Sequence, residues 1–197
     1  MTSTEIKISR ILENGIEFSC QMCGKCCTGF NDGEVYLYEE DILRLADFLK
    51  IKGKKGLRDF AKKHLKVVDD SFFWKDPNAQ RGKTYRYKTL GFKFTGEDEH
   101  CHFLKGNNCS VHTARPFQCR SFPFWQMMVS STKNFENYAQ KCKGLQVLKG
   151  KFYTKEEILN WAQEEYDIEK KYFLEMKKNN FNIMKVHPYL SKEMLQE

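Results

Sequence analysis

Eight cysteines carry the chemistry this sequence announces. Cys20, Cys23, Cys26 and Cys27 fall within eight residues. Two intervening residues let a pair of thiolates grip one metal from a tight turn. Cys20 and Cys23 have that spacing, Cys23 and Cys26 repeat it, and Gly24 stands where a metal knuckle needs a left-handed backbone. Neighbouring side chains point apart, so Cys26 and Cys27 are not expected to share one small ion. One of them serves a second ion, a larger cluster, or no metal.

The other four sulfurs are Cys101, Cys109, Cys119 and Cys142. Gly106-Asn107-Asn108 supplies a turn, which predicts that Cys101 and Cys109 face one another across it. Cys119 follows Arg115-Pro116, and Cys142 stands two residues before Gly144. Lys25, Arg115 and Arg120 lie close to these cysteines in sequence. Four thiolates around a divalent ion leave a net charge of about −2, which cations and backbone N–H groups must offset. No carboxylate neighbours the two arginines in sequence, so at least one is expected buried against the sulfur centre. Phe117, Phe122, Phe124 and Trp125 would wall that centre from solvent. His112, three residues after Cys109, has ligand-like spacing, whereas His64, His100, His102 and His187 read as surface or core residues. Asp32, Glu34, Asp98 and Glu99 show no spacing of a catalytic carboxylate pair.

All eight cysteines, Cys20, Cys23, Cys26, Cys27, Cys101, Cys109, Cys119 and Cys142, are the metal-ligand candidates, with Cys27 or Cys142 able to stand behind the ligands. Zinc takes four thiolates, or three and an imidazole, in a closed tetrahedron without redox chemistry. An iron–sulfur cluster takes four thiolates too, and three cysteines each two residues apart follow bacterial cluster ligation, although here the fourth is adjacent. The nearly all-sulfur inventory, taken with the family resemblance described next, favours an iron–sulfur cluster, [4Fe–4S], with zinc as the alternative.

The order Cys20-x-x-Cys23-Gly24-x-Cys26-Cys27, Cys101-x-Phe103-Leu104, Cys109-x-Val111-His112, Arg115-Pro116-x-x-Cys119-Arg120-x-Phe122-Pro123-Phe124 and Cys142-x-Gly144 resembles the CxxCxxCC cysteine-cluster family, also called YkgJ-like, a zinc- or iron-chelating domain. The resemblance spans roughly residues 18–145. One branch is similar to flagellin lysine N-methylases, which implies iron–sulfur chemistry with S-adenosylmethionine and a protein substrate. Those proteins are considerably longer, and this sequence has no glycine-rich nucleotide loop of the Rossmann type.

The elements that must position these residues are short. Composition, 41% hydrophobic and 30% charged over 197 residues, is that of a folded chain and excludes a disordered one. The net charge of +7 is spread among Glu and Asp, so no nucleic-acid partner is expected. No run reaches the roughly 18 apolar residues of a span, so no membrane partner is expected either. Residues 1–16 lack the apolar core of a signal peptide, which predicts a cytoplasmic protein whose cysteines are ligands and not disulfides. A strand is expected at 35–37, a helix opening at 38–41 with Ile42, Leu45, Ala46 and Leu49 on one face, and a short helix over 57–65. Residues 70–83 read as a loop with buried aromatic anchors, 85–94 as strand, and 154–178 as a helix with a Thr154–Glu157 capping box. The expected fold is α+β: short strands and helices around the cysteine centre, with residues 1–150 as the metal-binding domain and 151–197 as a helical extension packed outside.

Overall fold

A computed structural model describes residues 6–28, 34–95, 100–147 and 149–195. Asp32, Asp98, Glu99 and the loop at 29–33 lie outside the described residues. The fold is mixed α+β. In chain order it contains β1 (Ile16–Phe18), β2 (Tyr36–Leu37), α1 (Glu39–Phe48), α2 (Gly53–His64), β3 (Leu65–Trp74), β4 (Lys83–Phe92), β5 (Phe94–Thr95), β6 (His100–Cys101), β7 (Leu104–Lys105), β8 (Asn108–Cys109), α3 (Phe117–Ser121), α4 (Gln126–Val129), α5 (Thr132–Ala139), β9 (Lys151–Tyr153), α6 (Lys155–Lys178) and α7 (Ile183–Val186). Among the described residues no helix is long and apolar enough to cross a membrane.

The chain forms two compact units that exchange segments. Unit 1 is Met1–Gly33 with Phe94–Asp167, and unit 2 is Glu34–Lys93 with Ile168–Glu197. All eight cysteines belong to unit 1. Its core gathers Leu12, Phe18, Phe122, Phe124, Met128 and Phe135 with Ile158 and Ala162 of α6. Phe18 meets Phe122 and Phe124 edge-on, at 6.1 and 6.2 Å between ring centres, a favourable aromatic geometry. β1 pairs antiparallel with β9, Phe18 opposite Lys151, which fixes the strand that leads into the first cysteine turn. The capping box forms as expected: Thr154 N–H donates to Glu157 Oε2 at 2.9 Å, and Glu157 N–H to Thr154 Oγ1 at 3.2 Å.

Unit 2 is built on an antiparallel sheet of order β2-β4-β3. β3 begins at residue 65, so residues 70–74 are strand and not the expected loop, and Phe73 is 65% exposed instead of an anchor. Aspartate is a poor strand former, but Asp69 pairs with Lys88 directly across the ladder at 2.7 Å and Asp70 faces Tyr87. Such cross-strand pairs offset the local preference. α2 starts four residues before the predicted helix because Gly53 and Gly56 sit in its first turn, where they cost little. α1 carries Asp41 at its third position, accepting from Tyr38 N–H at 3.3 Å. Phe173 of α6 stacks on Phe72 at 5.0 Å, and Asp76 accepts from Trp74 Nε1, Tyr85 Oη and the ammonium of Lys177.

His187 is buried in this unit, with Tyr172 Oη 3.2 Å from Nε2 and Tyr189 Oη 3.3 Å from Nδ1. Burial pushes its pKa down to about 4 from 6.5. The folded state therefore holds the neutral ring, and the unfolded state takes up a proton between those two values. Stability is present above pH 6.5 and is lost as pH falls towards 4, by up to about 3 kcal/mol. Urea midpoints of wild type and His187→Gln should converge as pH drops through this window. A constant gap would show that His187 does not titrate there.

Candidate metal centre

β1 hands the chain to a loop that two left-handed residues, Met22 (φ 47°) and Gly24 (φ 72°), curl around Cys23. Glycine adopts this backbone freely, whereas methionine is strained in it. Lys25–Cys27 then form one 3-10 turn, with Cys27 N–H donating to Gly24 carbonyl at 2.8 Å. Cys20 and Cys26 are exposed, and Cys23 and Cys27 half-buried.

The second block is brought to this loop by close backbone approaches. A Cβ on Gly24 would lie 3.2 Å from Leu104 Cδ1 and 3.4 Å from Asn107 carbonyl. The first knuckle thus rests on the β7–β8 hairpin, whose turn includes Gly106 (φ 58°). Ser19 N–H donates to Gly144 carbonyl at 3.2 Å, and a Cβ on Gly144 would meet Ser19 carbonyl at 2.6 Å. Only glycine lets the Cys142 segment lie this close to the residue beside Cys20. Cys142 itself is buried at the edge of the phenylalanine core. Cys101 is buried on β6 opposite Phe94, while Cys109 on β8 faces Leu104. Cys101 and Cys109 thus stand on two separate ribbons, and the Cys109 thiol still acts on Cys101. Arg115-Pro116 opens α3, where Arg120 N–H donates to Pro116 carbonyl at 3.0 Å, and Cys119 sits in that helix.

Thiols of the two blocks act on one another's ionisation. Although Cys26 is exposed as a residue, its thiol is pushed up, first by its hydrogen bond with Cys27 and then by desolvation of the sulfur among its neighbours. Burial and the charges of Cys109 and Cys26 push Cys101 up to about 11. Burial raises Cys119 well above the ordinary thiol value, with Cys26, Cys101 and Cys109 adding to it. Burial likewise raises Cys109, helped by Cys26 and Cys20, and Cys142, helped by Cys23 and Cys26. Cys26 is the common neighbour of both blocks. Left to themselves these sulfurs stay protonated. A coordinated metal cation reverses that balance and deprotonates its thiols outright, so the donor set suits a soft, thiophilic group. Among the described residues, no three His, Cys, Asp or Glu side chains stand in a closed metal-holding arrangement as they are.

Arg115 is the cation of the cluster. Nη1 lies 3.8 Å from Cys20 Sγ, and Nε donates to His112 carbonyl at 3.0 Å. It is mostly buried, as expected of at least one of the two arginines, and it lowers the pKa of Cys26, Cys109 and Cys119. Arg120 Nε donates to Arg115 carbonyl at 3.2 Å, and its guanidinium lies 5.6 Å from the Phe117 ring centre. Lys25 is exposed on the turn. His112 has a buried Nε2 without a hydrogen-bond partner among the described residues, and burial with Arg115 favours its neutral ring. Phe117, Phe122 and Phe124 are buried, which supplies the expected apolar wall.

Lysine at 115 keeps the charge but lacks the fork that reaches a carbonyl and a sulfur together. Arg115→Lys should lose metal to a chelator about tenfold faster than wild type, the scale of an outer-sphere partner. Equal retention would show that Arg115 does not support the centre.

Gly24 and Gly144 are the positioning residues that cysteine spacing alone does not reveal; their signal is their place just after Cys23 and Cys142.

The α+β scaffold carries all eight cysteines in unit 1, with Arg115 beside Cys20 and acting on Cys26, Cys109 and Cys119. The chain belongs to the CxxCxxCC family, whose profile, described as "Putative zinc- or iron-chelating domain", matches residues 19–143, more than half of its length. No solved structure matches it.

Proposed function

We propose that unit 1 holds an iron–sulfur cluster of the [4Fe–4S] type, with ligands drawn from Cys20, Cys23, Cys26, Cys27, Cys101, Cys109, Cys119 and Cys142. The observation that supports this reading is the close approach of the Cys20–Cys27 loop to the segments carrying Cys109, Cys119 and Cys142, through Gly24 on the β7–β8 hairpin, Ser19 on Gly144 and Arg115 on Cys20. Zinc and a [4Fe–4S] cluster each take four thiolates, but four iron atoms spread those sulfurs over a wider volume than the closed tetrahedron of one zinc ion. When bound, the group supplies one-electron chemistry. The chain's own residues do the rest. Gly24 and Gly144 hold the loops together, Arg115 offsets thiolate charge, and the phenylalanines limit water.

The resemblance to flagellin lysine N-methylases extends this reading to a protein substrate, and methyl transfer from labelled S-adenosylmethionine to protein is its separate check. The competing reading is a zinc-stabilised binding module without catalysis. Anaerobic purification separates the two: a brown protein containing iron and sulfide supports the cluster, and a colourless one with stoichiometric zinc supports the module.

A further inference from the structure

Residues 48–58 hold five cations, Lys50, Lys52, Lys54, Lys55 and Arg58, and are flanked by two exposed carboxylates, Asp47 and Asp59, which leaves the tip net positive. All five are exposed, and among the described residues none enters an ion pair. They surround the turn between α1 and α2. Two left-handed residues, Lys50 (φ 58°) and Gly53 (φ 67°), reverse the chain there, and a side chain built on Gly53 would meet nothing within 4 Å. Two large apolar residues stand at the same tip, Phe48 at 44% and Leu49 at 37% exposure. The positive end of the α2 dipole adds to the same field.

We propose that this helical tip docks on the surface of an anionic lipid bilayer. Phosphate-bearing headgroups would meet the cations while Phe48 and Leu49 enter the interfacial layer. Mixed Lys and apolar residues on one face are the pattern of interfacial attachment, and a cluster of four to eight cations suits anionic lipid. A nucleic acid would use the charges and leave Phe48 and Leu49 in water. An acidic peptide needs a groove, and two helix ends with a turn between them offer none. The expectation of no membrane partner rested on spanning segments, and surface attachment needs none.

The test is co-sedimentation of the full chain with phosphatidylcholine vesicles, with and without phosphatidylserine, at low and high salt. Binding is expected only with phosphatidylserine and should weaken as salt screens the charges. Lys54→Gln/Lys55→Gln should bind about 30-fold more weakly, from the contribution of two cations near the surface. Tryptophan emission of Phe48→Trp, above the wild-type background, should shift to the blue on these vesicles, which a purely electrostatic contact would not produce. All the substituted side chains are exposed, so circular dichroism should match wild type. Equal binding to both vesicle types, no binding, or tight RNA binding with no Phe48→Trp shift would overturn the proposal.

Discussion

A Cys26→Ala protein is expected to purify without stoichiometric metal and to unfold far below the wild type. Cys26 neighbours sulfurs of both blocks, among them Cys101, Cys109, Cys119 and Cys142. Its removal takes away a donor and the group that links the two halves of the centre. Metal-binding free energy in such sites is folding free energy, with apparent values of about 10–16 kcal/mol for small structural zinc sites. The loss should therefore be seen in metal analysis and in the thermal transition together. His64→Ala, at a half-buried ring tilted against Phe60, should keep its full metal content. Full occupancy in Cys26→Ala would remove Cys26 from the centre.

Gly144→Ala should destabilise unit 1 by about 1–3 kcal/mol, the usual cost of overpacking a tight contact. The added methyl group would stand 2.6 Å from Ser19 carbonyl and 2.8 Å from Phe18 Cε2. The first obstacle is backbone and cannot swing away, so the Cys142 segment must retreat from the Cys20 loop. Thermal stability and metal retention should fall together, although residue 144 has no side chain to ligate anything. Wild-type retention with a lowered melting temperature would separate Gly144 from the centre.

The cysteine spacing made unit 1 legible, because two-residue gaps and Gly24 report a knuckle through local geometry. α1 and α6 were legible for the same local reason: an acidic first turn and a capping box are written within four residues. β3 was not. Its Asp70 and Ser71 read as loop, and what makes them strand is the opposing Tyr87 and Arg86, fifteen or more residues away. The interleaving of the two units was equally hidden. The boundary at residue 150 follows the end of the family resemblance, whereas each compact unit is assembled from two distant segments. In α6 the same helix gives Ile158 and Ala162 to one core and Phe173 to aromatic packing in the other. The sequence places Arg115 and Arg120 alike beside Cys119, and only the fold separates the one that reaches a sulfur from the one that lies over Phe117.

The most direct test is the absorption spectrum of anaerobically purified protein with iron, sulfide and zinc quantified on the same sample. The account predicts a brown protein with broad absorbance near about 400 nm and roughly four iron and four sulfide per chain. A colourless protein with stoichiometric zinc and no sulfide would contradict it.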